Sequence, residues 1–311
     1  MADSKLYKVD EVAKILNISR FTVYELIKRN ELPAYRIGRS MRVAKNDLDT
    51  YTKQAKNEPL HGEYAIMPGE PPIKTPDTES IIICGQDLVL DILSNHLEKI
   101  LHVHILRRYV GSISGLTSLY NRTAHIASVH LWDGDNDDYN VAYARRYLPG
   151  ENVQIINLVF RIEGFYVAPS NPKNIIAWED LIREDILFIN RERGAGARVL
   201  LDEKFRQLHI DPHEINGYDN EEMSHLAVAS CVARGDADVG LGTEKAAMQV
   251  QGVEFIPLKK ERYDLIVLKR DINQNHRDVL LEILRSNEFH KEIEGLGGYD
   301  VSRMGEIIAE L

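Results

Sequence analysis

Asn190-Arg191-Glu192-Arg193-Gly194-Ala195-Gly196-Ala197-Arg198 follows an apolar run, Ile186-Leu187-Phe188-Ile189, that reads as a buried strand. It precedes Leu201, Phe205 and Leu208 at helical spacing. The order strand, glycine loop, helix start aims backbone N–H groups and the positive end of a helix dipole at one point. Arg193 and Arg198 add charge and a planar fork that can grip an oxyanion through two bonds. The same residues also fit a tight strand-to-helix turn with solvated arginines. Val199 stands where a dinucleotide fingerprint needs its third glycine, and no GxxxxGK(S/T) occurs, so a nucleotide is not indicated.

Outward from this loop, strands and helices alternate. Ile81–Gly85, His102–Leu106 and Ile126–Leu131 read as strands separated by helical patterns, which predicts an α/β domain with a parallel sheet. Ser112 and Ser114, in Val110–Leu116, open one of those helices. Their hydroxyls and the following N–H groups can donate to an anion or simply cap the helix. Two longer strand-like passages, 153–168 and 253–268, stand apart. The segment between them has βαβ content of its own, including Met223, Leu226, Ala227, Ser230 and Cys231 at helical spacing up to Gly235. A lobe inserted by two crossings is a hinged clamp with its ligand in the cleft.

This arrangement resembles the type II periplasmic-binding-protein fold, in the cytoplasmic form found in regulators and beside molybdenum-cofactor genes. The motifs that carry the likeness are Gly111-Ser112…Ser114-Gly115-Leu116, Val129–Asp133, Asn190–Arg198, Ser224–Ala229, Gly235–Gly242 and Glu261–Leu265. The resemblance implies a small oxyanion effector, molybdate or tungstate first, held by Ser112, Ser114, His130, Arg193, Gly194, Ala195, Arg198 and Tyr263. His130 and Tyr263 fit packed core side chains as well. Relatives often carry Gly-Ser-Gly-Thr-Arg in the central loop. Here Ala195 and Ala197 replace both hydroxyl residues, leaving backbone N–H groups and arginine. Asp133–Asp138 lacks the glycine and glutamate of a calcium loop. His209 and His213 are separated by Asp211-Pro212, which breaks the helix that would align them on a metal. No nucleophile–base–acid set is evident, so no enzyme is expected.

The first sixty residues form a different module. Asp10 caps a helix with Val12, Ala13 and Leu16 on one face; Asn17-Ile18-Ser19 turns into a second with Val23, Leu26 and Ile27 inward. Tyr35-Arg36-Ile37 and Met41-Arg42-Val43 flank Gly38-Arg39-Ser40, a hairpin with a basic tip. Together these positions resemble the excisionase-type, MerR-like winged helix-turn-helix. That likeness implies that the second helix enters the DNA major groove, with Ser19, Arg20, Thr22, Tyr24 and Lys28 facing it. Arg36, Arg39 and Arg42 would then lie along the wing.

Composition sets the remaining bounds. The chain has 311 residues, enough for two or three domains. Residues 1–60 carry 12 Lys and Arg against 8 Asp and Glu, while the remainder carries 26 against 40 and brings the whole to −10. A basic module on an acidic body points to a nucleic-acid contact at one end. Two cysteines in apolar segments, no apolar leader and no run of membrane-spanning length predict a cytoplasmic protein with no membrane partner. Residues 56–79 hold five prolines without periodicity and read as a linker.

The expected architecture is therefore α/β. A winged helix-turn-helix occupies 1–55. A two-lobed clamp occupies 80–311, with lobe I about 80–160 and 258–311 and lobe II about 161–257. The expected function is a ligand-responsive transcriptional regulator, a homodimer on a double-stranded DNA operator, with no cofactor beyond its small anionic effector. The alternatives are a regulator of a small organic acid or amino acid, or a metal-delivery protein associated with molybdenum cofactor.

Overall fold

The computed structural model describes residues 6–16, 23, 27, 32–37, 40–45, 47, 48, 51 and 80–311. The chain divides into two units, residues 1–73 and 74–311.

In the first unit, β1 (Leu6–Lys8) leads into α1 (Val9–Leu16), and β2 (Tyr35–Ile37) and β3 (Ser40–Ala44) form the expected hairpin. Tyr35 pairs with Arg42 and Ile37 with Ser40, antiparallel. β1 pairs with the other side of β3, an addition the sequence reading lacked because a three-residue strand shows no periodicity. Val9, Val12 and Ala13 of α1 pack with Val23, Leu32, Val43 and Leu48 in one buried cluster. Arg36 lies in β2, and part-buried Arg42 donates from Nη1 to the Met41 carbonyl at 3.2 Å. Ser19, Arg20, Thr22, Tyr24, Lys28 and Arg39 lie outside the described residues.

The second unit is built on a nine-stranded sheet. Its first half contains β4 (Ser80–Cys84), α2 (Leu88–Leu101), β5 (His104–Arg108), α3 (Ser112–Tyr120) and β6 (Ile126–Val129). A short hairpin of β7 (Trp132–Asp133) and β8 (Asp138–Tyr139) and α4 (Val141–Tyr147) follow. The long β9 (Val153–Val167) then passes into the second half. There lie β10 (Phe188–Arg191), α5 (Gly196–Leu208), β11 (Glu221–Glu222), α6 (His225–Arg234), β12 (Val239–Thr243) and α7 (Glu244–Ala247). β13 (Glu254–Leu268) returns to the first half, followed by α8 (Gln274–Arg285), α9 (Asn287–Gly295) and β14 (Ile307–Glu310).

Strand order is β11-β10-β12-β9-β13-β6-β4-β5, with β14 on β9. β4 pairs in parallel with β5 and β6, and β10 with β12, as helical crossovers require. β9 and β13 are antiparallel along their whole length, from Glu254↔Val167 to Leu268↔Val153. They are the two passages that stood apart in the sequence. Ile83, Leu90, Leu97, Leu265 and Phe289 fill a core on one half. Phe165, Phe188, Leu201, Phe205 and Leu241 fill another on the second half. Two shared strands between separate cores make a curled sheet with two lobes.

Local boundaries moved for identifiable reasons. His102 adopts a left-handed conformation, φ 54°, and caps α2, so β5 starts only at His104. Ser224 caps α6 by accepting from Ala227 N at 3.1 Å, which leaves Met223 outside the helix and 66 % exposed. Gly235, φ 76°, ends that helix where the sequence placed its stop. The acidic stretch after Trp132 is the β7–β8 hairpin; Asp133 accepts from Asp135 N and Asn136 Nδ2.

Candidate functional site

The glycine loop meets the start of α3 at the junction of the lobes. Gly194 O accepts from Ile113 N at 3.0 Å, and a side chain on Gly111 would meet the Ala195 backbone at 3.1 Å. Gly194 carries φ 87°, which places its carbonyl for this bond at no steric cost. The N-caps of α3 and α5 are Gly111 and Ala195, neither of which has a side chain able to cap. The first N–H groups of a helix have no partner within it. Two uncapped N-termini thus open on one cavity of about 30 Å³. α2 also starts there, at Asp87, as does α6, at His225.

Beneath the amides lies a dense ionic set. Arg161 on β9 is 3 % exposed. Its Nη1 donates to Asp87 Oδ2 at 2.5 Å and its Nε to Glu261 Oε1 at 2.6 Å. Its guanidinium carbon sits 3.9 Å from the centre of the Tyr263 ring. Glu261 Oε2 bonds His130 Nδ1 at 2.7 Å, and Ser128 Oγ and Tyr263 Oη are 2.5 Å apart. Arg191, at the end of β10, bonds Gln86 Oε1 at 2.8 Å and Glu192 Oε2 at 2.7 Å.

Of the expected ligand residues, Ser112, His130, Ala195 and Tyr263 line this cavity, and Gly194 braces it through its carbonyl. Ser114, one turn into α3, is exposed on the far side, where its carbonyl accepts from Ser118 Oγ. Arg193 is 75 % exposed beyond the turn, 3.6 Å from Asp219. Arg198 is buried, but against Glu221 at 3.2 Å and over the Tyr218 ring at 4.0 Å, away from the cavity. The arginines that do line it are Arg161 and Arg191. Both escaped the sequence reading, as did Gln86, Asp87, Ser128 and His225. A usable signal existed. Arg161 and Glu163 sit at i and i+2 on one face of a largely apolar strand, and Glu261 and Tyr263 share one face of its partner in the same way.

Glu163 and Glu261 titrate in opposite directions. Burial raises the Glu163 carboxyl well above its ordinary 4.5, and the charge of Glu261 raises it further. Burial pushes Glu261 up as well, but Arg161 and then His130 outweigh this and bring it down to about 2. A carboxyl whose folded pKa lies above its unfolded one keeps its proton only in the native state. Stability therefore falls as pH rises from about 4.5 through the folded value. Glu163→Gln removes this slope. In urea unfolding of EDTA-treated protein, the variant is expected to match its parent near pH 4.5 and to exceed it increasingly toward pH 8. Parallel pH curves would refute the assignment. His225 is held neutral, its pKa well below 6.5, by burial and by Arg191 and Arg161. Among the described residues, His130, Glu163 and His225 are the group able to hold a metal ion, one donor atom of each within 4.8 Å of the others.

Comparison with known proteins fits this architecture. The PBP superfamily domain model matches residues 94–285, and a helix-turn-helix domain model matches 6–56. A Bacillus subtilis (strain 168) protein, YvgK, is 42 % identical over 312 residues, spanning all of both chains. A Clostridium pasteurianum protein from the 5′ region of a 2Fe-2S ferredoxin gene is 55 % identical over 113 residues, 36 % of this chain and all of that one. Among solved structures, a Clostridium perfringens substrate-binding protein with bound phosphate superposes with TM-score 0.54 at 13 % identity, over 71 % of this chain and 99 % of that one. The tungstate ABC transporter protein of Geobacter sulfurreducens gives 0.53 at 14 %, over 70 % and 98 %. At these identities the likeness is one of fold. With the family model covering most of the curled-sheet unit and a full-length relative 42 % identical, the chain belongs to the PBP superfamily and carries a helix-turn-helix domain ahead of that fold.

Proposed function

We propose that the chain is a cytoplasmic transcriptional regulator, dimeric on its DNA operator, whose PBP-like domain closes on a small oxyanion, molybdate or tungstate first. One observation carries this reading. Two helix N-termini whose cap residues have no capping side chain meet over a cavity of about 30 Å³, with Ser112 and Arg191 at its wall. Helix N-termini favour anions through their amides and dipole. About 30 Å³ is far below the roughly 300–1,000 Å³ of pockets that hold drug-sized ligands, so the size suits a compact tetrahedral ion better than an aromatic acid. Asp87 and Glu261 are committed to Arg161, so the ligand is held by amides, Ser112 and Arg191 rather than by a large excess of positive charge.

Calorimetric titration of EDTA-treated protein with molybdate, tungstate, sulfate and phosphate tests the ligand. Heat is expected with at least one of the first two, and silence with all four sinks the oxyanion. Arg191→Ala is expected to weaken binding roughly 10- to 100-fold, the loss of a charge-assisted hydrogen bond. Arg193→Ala, exposed beyond the turn, is expected to leave it within about twofold. A gel shift on the upstream region of its own gene, with and without the bound oxyanion, tests the regulator. A shift that ignores the ligand would leave a DNA-binding protein without this sensor, because a ligand moves an equilibrium only by its differential affinity.

A further inference from the structure

The oxyanion reading uses the amide rim of the cavity and leaves the groups below it without a task. Glu163 is fully buried, and its carboxyl lies against that of Glu261 without an aligned hydrogen bond. His225 Nδ1 is buried and unpartnered. An unsatisfied buried polar group costs about 1–3 kcal/mol, so an unpartnered His225 Nδ1 facing this space needs a reason. The neighbour of Glu163 and His225 is His130, whose Nδ1 lies 3.5 Å from Glu163 Oε1. One donor atom of each of the three residues falls within 4.8 Å of the others.

The chemistry of the set is specific. Two imidazoles and one carboxylate are the donors that suit zinc and its divalent first-row neighbours, and three protein ligands leave a coordination position open. Glu261 bonds His130 at Nδ1, which fixes the ring and its tautomer beside the other two donors. The local charge agrees. Arg161 and Arg191 are outnumbered by four nearby carboxyl groups, Asp87, Glu163, Glu192 and Glu261, an acidic excess that favours a cation.

The geometry points to a divalent transition-metal site made of His130, Glu163 and His225, which ties the two lobes together. His130 follows β6 in the first lobe, His225 opens α6 in the second, and Glu163 sits on β9, the strand they share. An ion bound by all three favours the closed arrangement independently of any anion. Its open position accepts water or an oxygen of the second ligand.

The test uses the full chain, stripped with EDTA and freed of it, then titrated with Co²⁺ as probe and with Zn²⁺. One ion per chain is expected, with Co²⁺ giving the intense visible bands of a low-coordinate site. His225→Ala and Glu163→Gln should weaken metal binding at least about 100-fold, and Glu261→Gln, behind His130, by about 10- to 100-fold. Less than stoichiometric metal in the parent, or equal affinity in the folded His225→Ala and Glu163→Gln variants, overturns the site. The parental stoichiometry decides even if a variant fails to fold. The anion reading is judged separately, by the titration of EDTA-treated parent. Metal without anion binding sinks only that reading; anion without metal sinks only this one.

Discussion

Arg161→Ala is expected to destabilise the ligand domain by about 3–5 kcal/mol, the usual cost of removing one partner of a buried ion pair. The side chain is a 3 % exposed cation between two acids. Nη1 bonds Asp87 and Nε bonds Glu261, while Nη2, 2.5 Å from Glu261 Oε1, adds a close ion-pair contact without an aligned hydrogen bond. Asp87 also caps α2 through Val89 N and accepts from Tyr299 Oη at 2.7 Å. Truncation leaves two buried carboxylates facing each other over an empty volume and strips the face of Tyr263 of its cation. Arg161→Lys restores charge but not the fork, so an intermediate loss is expected. Urea unfolding followed by the fluorescence of Trp132 and Trp178 reads both variants. A loss below about 1 kcal/mol in Arg161→Ala would mean that the acids neutralise themselves by taking up protons, and that Arg161 is not the keystone of the site.

How far the sequence led differs between fold and site, for physical reasons. The glycine loop between strand and helix, the wing hairpin and the two long crossing strands were legible because periodicity and turn chemistry are local. The curled α/β sheet with a helix-turn-helix region follows from them. The site depends instead on which side of a turn a residue falls. Arg191 is the last residue of β10 and its side chain enters the cavity, whereas Arg193, two residues on, is past the turn and 75 % exposed. Spacing alone made Arg193 and Arg198 the natural candidates. Arg161 and Glu261 were harder still. They are 100 residues apart and become partners only because β9 and β13 pair in the register Arg161↔Glu261. A charged residue in a long apolar strand was the visible trace of this pairing, and it names the residue without naming its partner.

Gly196→Ala is expected to abolish ligand binding, weakening it by about 100-fold or more, through one methyl group. Nothing in the backbone opposes alanine here: Gly196 is the first residue of α5, and its φ is not positive. Helix propensity favours the change by about 1 kcal/mol. The obstacle is the other lobe. A Cβ on Gly196 would lie 2.4 Å from His130 Cε1, 2.5 Å from Nδ1 and 2.6 Å from Nε2. The ring cannot simply withdraw, because Glu261 holds Nδ1 at 2.7 Å and Tyr263 packs edge-on at 5.6 Å. The strain is relieved by moving α5 away from β6, which opens the cleft between Ala195 and Gly111, or by breaking the His130–Glu261 bond. Either route removes the shape that the ligand reads. The net effect on stability should stay within the 1–3 kcal/mol typical of overpacking. Gly295→Ala is the control: nothing lies within 4 Å of its Cβ, its φ is ordinary, and it should leave binding unchanged. Calorimetry on both variants, with unfolding curves in parallel, separates a blocked cleft from a damaged domain. If Gly196→Ala binds as tightly as the parent, the contact between the α5 start and His130 is not part of the ligand-bound state, and the cavity between the lobes is not where the ligand sits.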